Sequence, residues 1–295
     1  MAKFKISEYD AFGPWIYLID EEHPLPPLFS EYRYLANKAL MMFKIPRKIS
    51  RREANASMHL YDRVVCIMES HMLILDRIGN RVEKDRIDYR NIQAVRNYMC
   101  LLRGDLTIYT DNRVVTIEYN TVSEEIISDA VDLIKELQDY KTKLIELKSL
   151  DYSHTFVGYL FHNLLNMMST KNPDTKLIAY QPDIKLPVKK GIWGKIVRLF
   201  TFQKVLQNTA FVGNLHELII ISRSSHTKLL KDTDYSYTFL YLPYEKLKTL
   251  SIEANEEEPS LRKLVYGTKN YTFETSFDDS SKGIDTLYDV LKKPI

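Results

Sequence analysis

The sequence predicts an α+β protein made of two similar units, each a set of short antiparallel strands closed by one C-terminal helix. Three observations carry this. Between positions 60 and 120, and again from 210, apolar residues fall in short runs separated by turn residues. Each strand-rich stretch ends in an amphipathic helical stripe. The two stretches also match each other in order along the chain.

Taken in order, the first 30 residues show no period. Phe12-Gly-Pro-Trp15-Ile-Tyr-Leu reads as a turn into an apolar run, and the prolines of His23-Pro-Leu-Pro-Pro-Leu-Phe29 make that stretch extended. Trp15, Ile16, Leu18 and Phe29 need cover, so this arm is expected to dock on its own protein. Tyr32, Leu35, Ala36, Ala39, Leu40 and Phe43 stand at helical spacing, which predicts a helix over 30–43 limited by Pro46. Val64–Met68 and Met72–Leu75 read as strands, and Gly79-Asn80 as a hairpin turn. Ile87 to Val95 leads to Leu101-Leu102 and a turn at Arg103-Gly104. Val115, Ile117 and Tyr119 then alternate as a further strand. Ser123 is the expected N-cap of a helix with Glu124 and Glu125 in its first turn. Its stripe runs from Ile126 to Leu137 and on to Leu144 and Leu147.

Residues 151–170 read as a second apolar helix, and Pro173, Pro182 and Pro187 break the chain after it. An amphipathic helix is expected over 192–206, a strand at Leu218–Ile221, and a final helix over Ser280–Lys293.

The two halves align with an offset that only rises. Pro46 answers Pro187, His71 answers His216, and Tyr89 answers Tyr244. Val115–Glu118 answers Tyr271–Glu274, and Val131–Lys135 answers Tyr288–Lys292. A steadily growing offset is what duplication with loop insertions leaves, and the polar stretch Ser224–Ser236 supplies most of the growth.

In unit one the strand Met72–Leu75, then DRIDYRNIQAV, then GDLTIYTDNRVVTIEY with Gly104, then the Ser123–Leu137 helix resemble the bacterial pleckstrin-homology-like (PH-like) domains. Unit two keeps Tyr244–Leu250 and the last helix but has Ser260-Leu-Arg where unit one has its glycine. The resemblance implies two PH-like units in tandem. Each would be a curved antiparallel sheet or partly open barrel closed by a C-terminal helix. The implied organisation is an N-terminal arm and helix at 1–43, a first unit at 44–150, a helical, proline-broken linker at 151–184, and a second unit at 185–295. The fold is a general interaction scaffold and does not by itself name an activity.

Composition narrows the function classes. The 295 residues carry 41 Lys and Arg against 39 Asp and Glu, a net charge of +2, which argues against a nucleic-acid partner. Twenty Tyr and twelve Phe suit half-buried sheet better than helix bundles. Two cysteines make no disulfide framework; Cys66 reads as core. The start MAKFKISEYD lacks the apolar centre of a signal peptide, and no run approaches the ~18 apolar residues that cross a bilayer. A cytoplasmic protein is expected, with membrane association as the alternative.

No HExxH or CxxC pattern supports a metal, and no glycine-rich phosphate loop, GxSxG elbow or carboxylate pair supports catalysis or a cofactor. His71 and His216 share one repeat position and read as structural. The candidate sites are two basic segments. Residues 171–204 hold eight Lys or Arg against two Asp. Within them are Lys185, Lys189 and Lys190, and Trp193 and Phe200 lie on an apolar helical arc with Lys195 and Arg198 opposite. Such a helix either packs its aromatics on its own domain or lies in a membrane interface. The second segment, following Lys44, is Arg47, Lys48, Arg51 and Arg52, and it lacks the aromatics. The expected function is a non-catalytic interaction or scaffolding protein binding a protein or peptide. The alternative is a peripheral membrane binder recognising anionic lipid through 185–204.

Overall fold

A computed structural model describes residues 7–138, 148–187 and 203–292. The chain is α+β, built mostly from antiparallel sheet with few helices, and among the described residues no sheet closes into a barrel. It falls into two compact units. One is Met1–Ile92 with Leu102–Leu106 and Thr116–Asp139, and the other is Gln93–Leu101 with Thr107–Val115 and Tyr140–Ile295. This grouping cuts across the consecutive segments 44–150 and 185–295. The reason is a strand pairing: β6 (Ile92–Cys100) runs antiparallel along β15 (Ser236–Pro243), from Val95 opposite Tyr241 to Cys100 opposite Ser236.

The first unit opens with α1 (Glu8–Ala11), β1 (Tyr17–Leu18) and a 3-10 helix at Pro27–Leu35. A five-stranded sheet follows in the order β1, β2 (Met41–Pro46), β3 (Tyr61–Ile67), β4 (His71–Ile78), β5 (Arg81–Asp88). Its core gathers Phe29, Leu35, Met42, Val64, Cys66, Leu73 and Leu75. Burial pushes the Cys66 thiol up to about 12, which keeps it protonated and unreactive. Gly79-Asn80 turns the β4–β5 hairpin, with Ile78 opposite Arg81. Then β7 (Arg103–Thr110), β8 (Val114–Asn120) and α2 (Glu124–Leu137) complete this half of the chain. Helix α2 buries Ile127, Ala130, Val131 and Ile134, the stripe expected of it, while Leu144 and Leu147 lie outside the described residues. At Gly104 the ring of Tyr119 lies 2.2 Å from where a Cβ would stand, so only glycine fits there.

Three expectations for this half are corrected. The helix over 30–43 is a 3-10 helix ending at Leu35, and Met41–Phe43 are strand. Pro26 and Pro27 start the tight helix, and pairing of Met41 with Ile67 and Phe43 with Val65 overrides the helical period. Ser123 stands at the N-cap of α2 but does not cap it; its Oγ accepts from the Ile16 amide at 2.9 Å. Ile16 and Phe29 are buried, yet Trp15 and Leu18 stay about half exposed.

In the second half come α3 (His154–Val157), α4 (Tyr159–Lys171), β9 (Lys176–Gln181), β10 (Ile184–Lys185), β11 (Lys204–Leu206) and β12 (Thr209–Gly213). Next are β13 (Glu217–Ser222), β14 (Thr227–Leu229), β15, β16 (Thr249–Ala254), β17 (Arg262–Gly267), β18 (Thr272–Phe277) and α5 (Ile284–Lys292). A seven-stranded sheet runs β8-β7-β6-β15-β13-β12-β9, and a three-stranded one β16-β17-β18. One core joins Phe211, Leu218, Ile220, Leu242 and Tyr244 to Leu264 and Phe277. It is closed by Ile284, Leu287 and Leu291 of α5. Residues 204–206 are strand rather than the end of a helix, because β11 is paired on both sides by β10 and β14; residues 188–202 lie outside the described residues.

The polar stretch Ser224–Ser236 is tied down by Asp234. Its carboxylate accepts from the Ser236 amide at 2.8 Å, from Gln207 Nε2 at 2.9 Å and from Ser224 Oγ at 3.2 Å. Burial would raise this carboxyl, but these hydrogen bonds outweigh it and hold it below the usual 3.8. Asp234 therefore stabilises the fold fully above that value, and its contribution is lost as pH falls through the lower folded one. Asp234→Ala is expected to lower stability by about 1 kcal/mol at neutral pH, a figure kept small by partial exposure. Urea denaturation at neutral pH and near pH 2 measures this, with the difference between the proteins vanishing in acid.

Candidate functional site

Four segments of the first unit surround a groove of about 530 Å³. Phe12–Pro14 follow α1, Ile45–Ile49 and Arg51 end β2 and begin the next loop, Leu102 and Arg103 open β7, and Glu118–Asn120 close β8. Apolar surface comes from Phe12, Ile45, Ile49, Leu102 and the ring of Tyr119. Four cations reach it: Arg47, Lys48, Arg51 and Arg103. The expected site residues Arg47, Lys48 and Arg51 are thus brought together, and Arg103 joins them from a strand that is distant in sequence.

Their electrostatic states differ. Lys48 pairs with Glu118, an exposed contact of small energetic value. Arg51 donates to the carbonyls of Tyr9 and Phe12 and lies over the Tyr9 ring at 4.3 Å, so it holds the N-terminal arm. Arg103 pairs with Asp105 at 2.9 Å while its own side chain stays 69% exposed. Arg47 is held by its amide, which donates to Leu60 O at 2.8 Å; its guanidinium has no partner among the described residues. The same holds for the exposed Arg52. Arg47 therefore leaves positive charge at the groove, while Arg52 is exposed but is not one of the residues that line it.

Lys44, grouped with these cations in the sequence, is not part of the face. It is 1% exposed, donates to Pro24 O at 2.8 Å, lies 3.7 Å from Glu8 Oε1 and sits 4.5 Å from the Tyr61 ring centre. Burial lowers the Lys44 ammonium against the pull of Glu8, and burial raises the Glu8 carboxyl against that of Lys44. Its task is to clamp α1 and the proline segment to β2.

One feature went unread in the sequence. The reversal between β6 and β7 is Leu101-Leu102, while Arg103-Gly104 already belong to β7. Leu101 has φ +51°, the one positive φ outside glycine among the described residues. For a leucine this costs about 1–2 kcal/mol. Both side chains point to solvent, 69% and 65% exposed. The signal was there: two leucines between strands, where a two-residue turn ordinarily takes Asn-Gly.

Of the second basic segment, Lys185 is exposed in β10, opposite Val205. Lys189, Lys190, Trp193, Lys195 and Arg198 lie outside the described residues. Lys204, at the start of β11, is ion-paired to Glu258. His71 opens β4 and His216 directly precedes β13, its amide bonded to Asn214 Oδ1 at 2.8 Å. Among the described residues no three His, Cys, Asp or Glu side chains converge to hold a metal, and no helix is long and apolar enough to cross a membrane. No family model and no curated protein matches the chain.

Removing Lys44 leaves the partly buried Glu8 without its cation. Lys44→Met is expected to destabilise the protein by about 2 kcal/mol, below the figure for a fully buried pair because Glu8 is 27% exposed. Adding Glu8→Leu should recover part of the loss. A double-mutant cycle by chemical denaturation reads the coupling.

Proposed function

We propose that the protein is a non-catalytic interaction module built on tandem PH-like units, and that the groove of the first unit takes an anionic partner. The tandem reading is supported by an order of elements that occurs twice. A four-strand meander (β2 to β5) is followed by a 3-10 turn at Tyr89–Asn91, then β6 to β8, then α2. The sheet neighbours β9, β12, β13 and β15 are followed by a 3-10 turn at Tyr244–Lys246, then β16 to β18, then α5. Each 3-10 turn begins with a buried tyrosine.

The binding reading rests on one observation. The groove combines an apolar lining with Arg47 and Arg103, and among the described residues no counter-charge is paired with Arg47. A bare guanidinium at the edge of a concave apolar surface is satisfied by an acidic group brought from outside. An acidic segment of a protein partner has that chemistry, and so has an anionic lipid surface. Localisation follows the partner: cytoplasmic, at a membrane where the partner is lipid.

Fluorescence anisotropy with a labelled glutamate–tyrosine copolymer tests the groove. Binding that weakens with salt is expected. Arg47→Glu with Arg103→Glu should lower the affinity about tenfold or more, while Lys269→Glu on the β17–β18 turn leaves it unchanged. Equal binding by the reversed and control variants removes the groove from the reading.

A further inference from the structure

We propose that the Leu101-Leu102 turn is a membrane-docking tip: the two leucines enter the headgroup–acyl boundary of an anionic bilayer while Arg47 and the exposed Arg103 meet its phosphates. This rests on the groove being an anion site, and it names the anionic partner as a lipid surface.

Two properties coincide at this turn. Leu101 is held in the left-handed region, where asparagine or glycine sits without penalty. Leu101 and Leu102 also expose most of their apolar surface to water. A two-residue turn does not itself require leucines, since a polar pair would relieve the strain and be solvated. Strain and apolar exposure borne by one side chain point to a use outside the molecule.

Charge and shape select the occupant. Leu102 and Arg103 line the same groove as Arg47, Lys48 and Arg51, so cations stand directly beside the apolar tip. A two-residue reversal is narrow and convex, which suits insertion rather than enclosure. An anionic bilayer offers what such a tip needs in the right order: a negative surface over an apolar layer a few ångströms beneath.

Cosedimentation of the full chain with phosphatidylcholine vesicles, with and without phosphatidylserine and at low and high salt, is the test. Binding should require phosphatidylserine and fall with salt. Leu101→Asn with Leu102→Ser should lower partitioning about tenfold. The same variant should keep or raise the melting temperature, because asparagine tolerates the left-handed position. As a second readout, Leu102→Cys in a Cys100→Ser background, labelled with an environment-sensitive dye, should shift to the blue on phosphatidylserine vesicles; the buried Cys66 stays unlabelled. Vesicle binding indifferent to the leucine substitutions, or a dye that stays in water on bound protein, overturns the proposal. Absence of vesicle binding with retained copolymer binding overturns the lipid assignment and leaves the groove reading standing. Loss of both removes both.

Discussion

The pairing of β6 with β15 governs much of what this protein presents to its surroundings. Six consecutive residue pairs, Val95 with Tyr241 through Cys100 with Ser236, fix the direction and the end of β6. Backbone groups in a sheet interior must find partners, so the register is not free to slide. The chain then has two residues in which to reverse before β7 begins at Arg103. That leaves Leu101 in a conformation leucine avoids and sets Arg103 at the groove. The same pairing draws Gln93–Leu101 into the unit formed by the C-terminal half of the chain.

The groove depends on a second device, the fastening of the N-terminal arm. Phe12–Pro14 form one of its walls, and a short helix of four residues has little stability of its own. Two cations hold the arm. Lys44, buried in β2, reaches Glu8 and the Pro24 carbonyl, and Arg51 reaches the carbonyls of Tyr9 and Phe12. Ser123 adds a bond to the Ile16 amide from the start of α2. Basic residues close together in sequence are thereby divided in function. Two hold the wall, Lys48 is matched by Glu118, and Arg47, with no counter-charge among the described residues, lines the groove.

Features that depend on local spacing were legible. The 123–137 stripe makes α2, Gly79-Asn80 makes its hairpin, Cys66 is core, and His71 opens a strand. Features that depend on a distant partner were not. Met41–Phe43 carry a helical period and are strand, because β3 offers them a ladder of backbone hydrogen bonds. Lys44 looks like its basic neighbours until Glu8 and Tyr61 are brought to it. Arg103 lies far along the chain from Arg47, and only the fold sets them around one groove.

By itself, the sequence determined the α+β class, the order of strands and helices in much of each half, and the presence of a basic loop after β2. These follow from side-chain periodicity and turn chemistry, which act over a few residues. Tertiary structure decided which cations are buried, which are neutralised and which are bare, and it turned an ordinary Leu-Leu pair into a strained, exposed tip. Charge states and exposure are set by what lies within a few ångströms in space, and in a sheet protein those neighbours come from strands far apart in the chain.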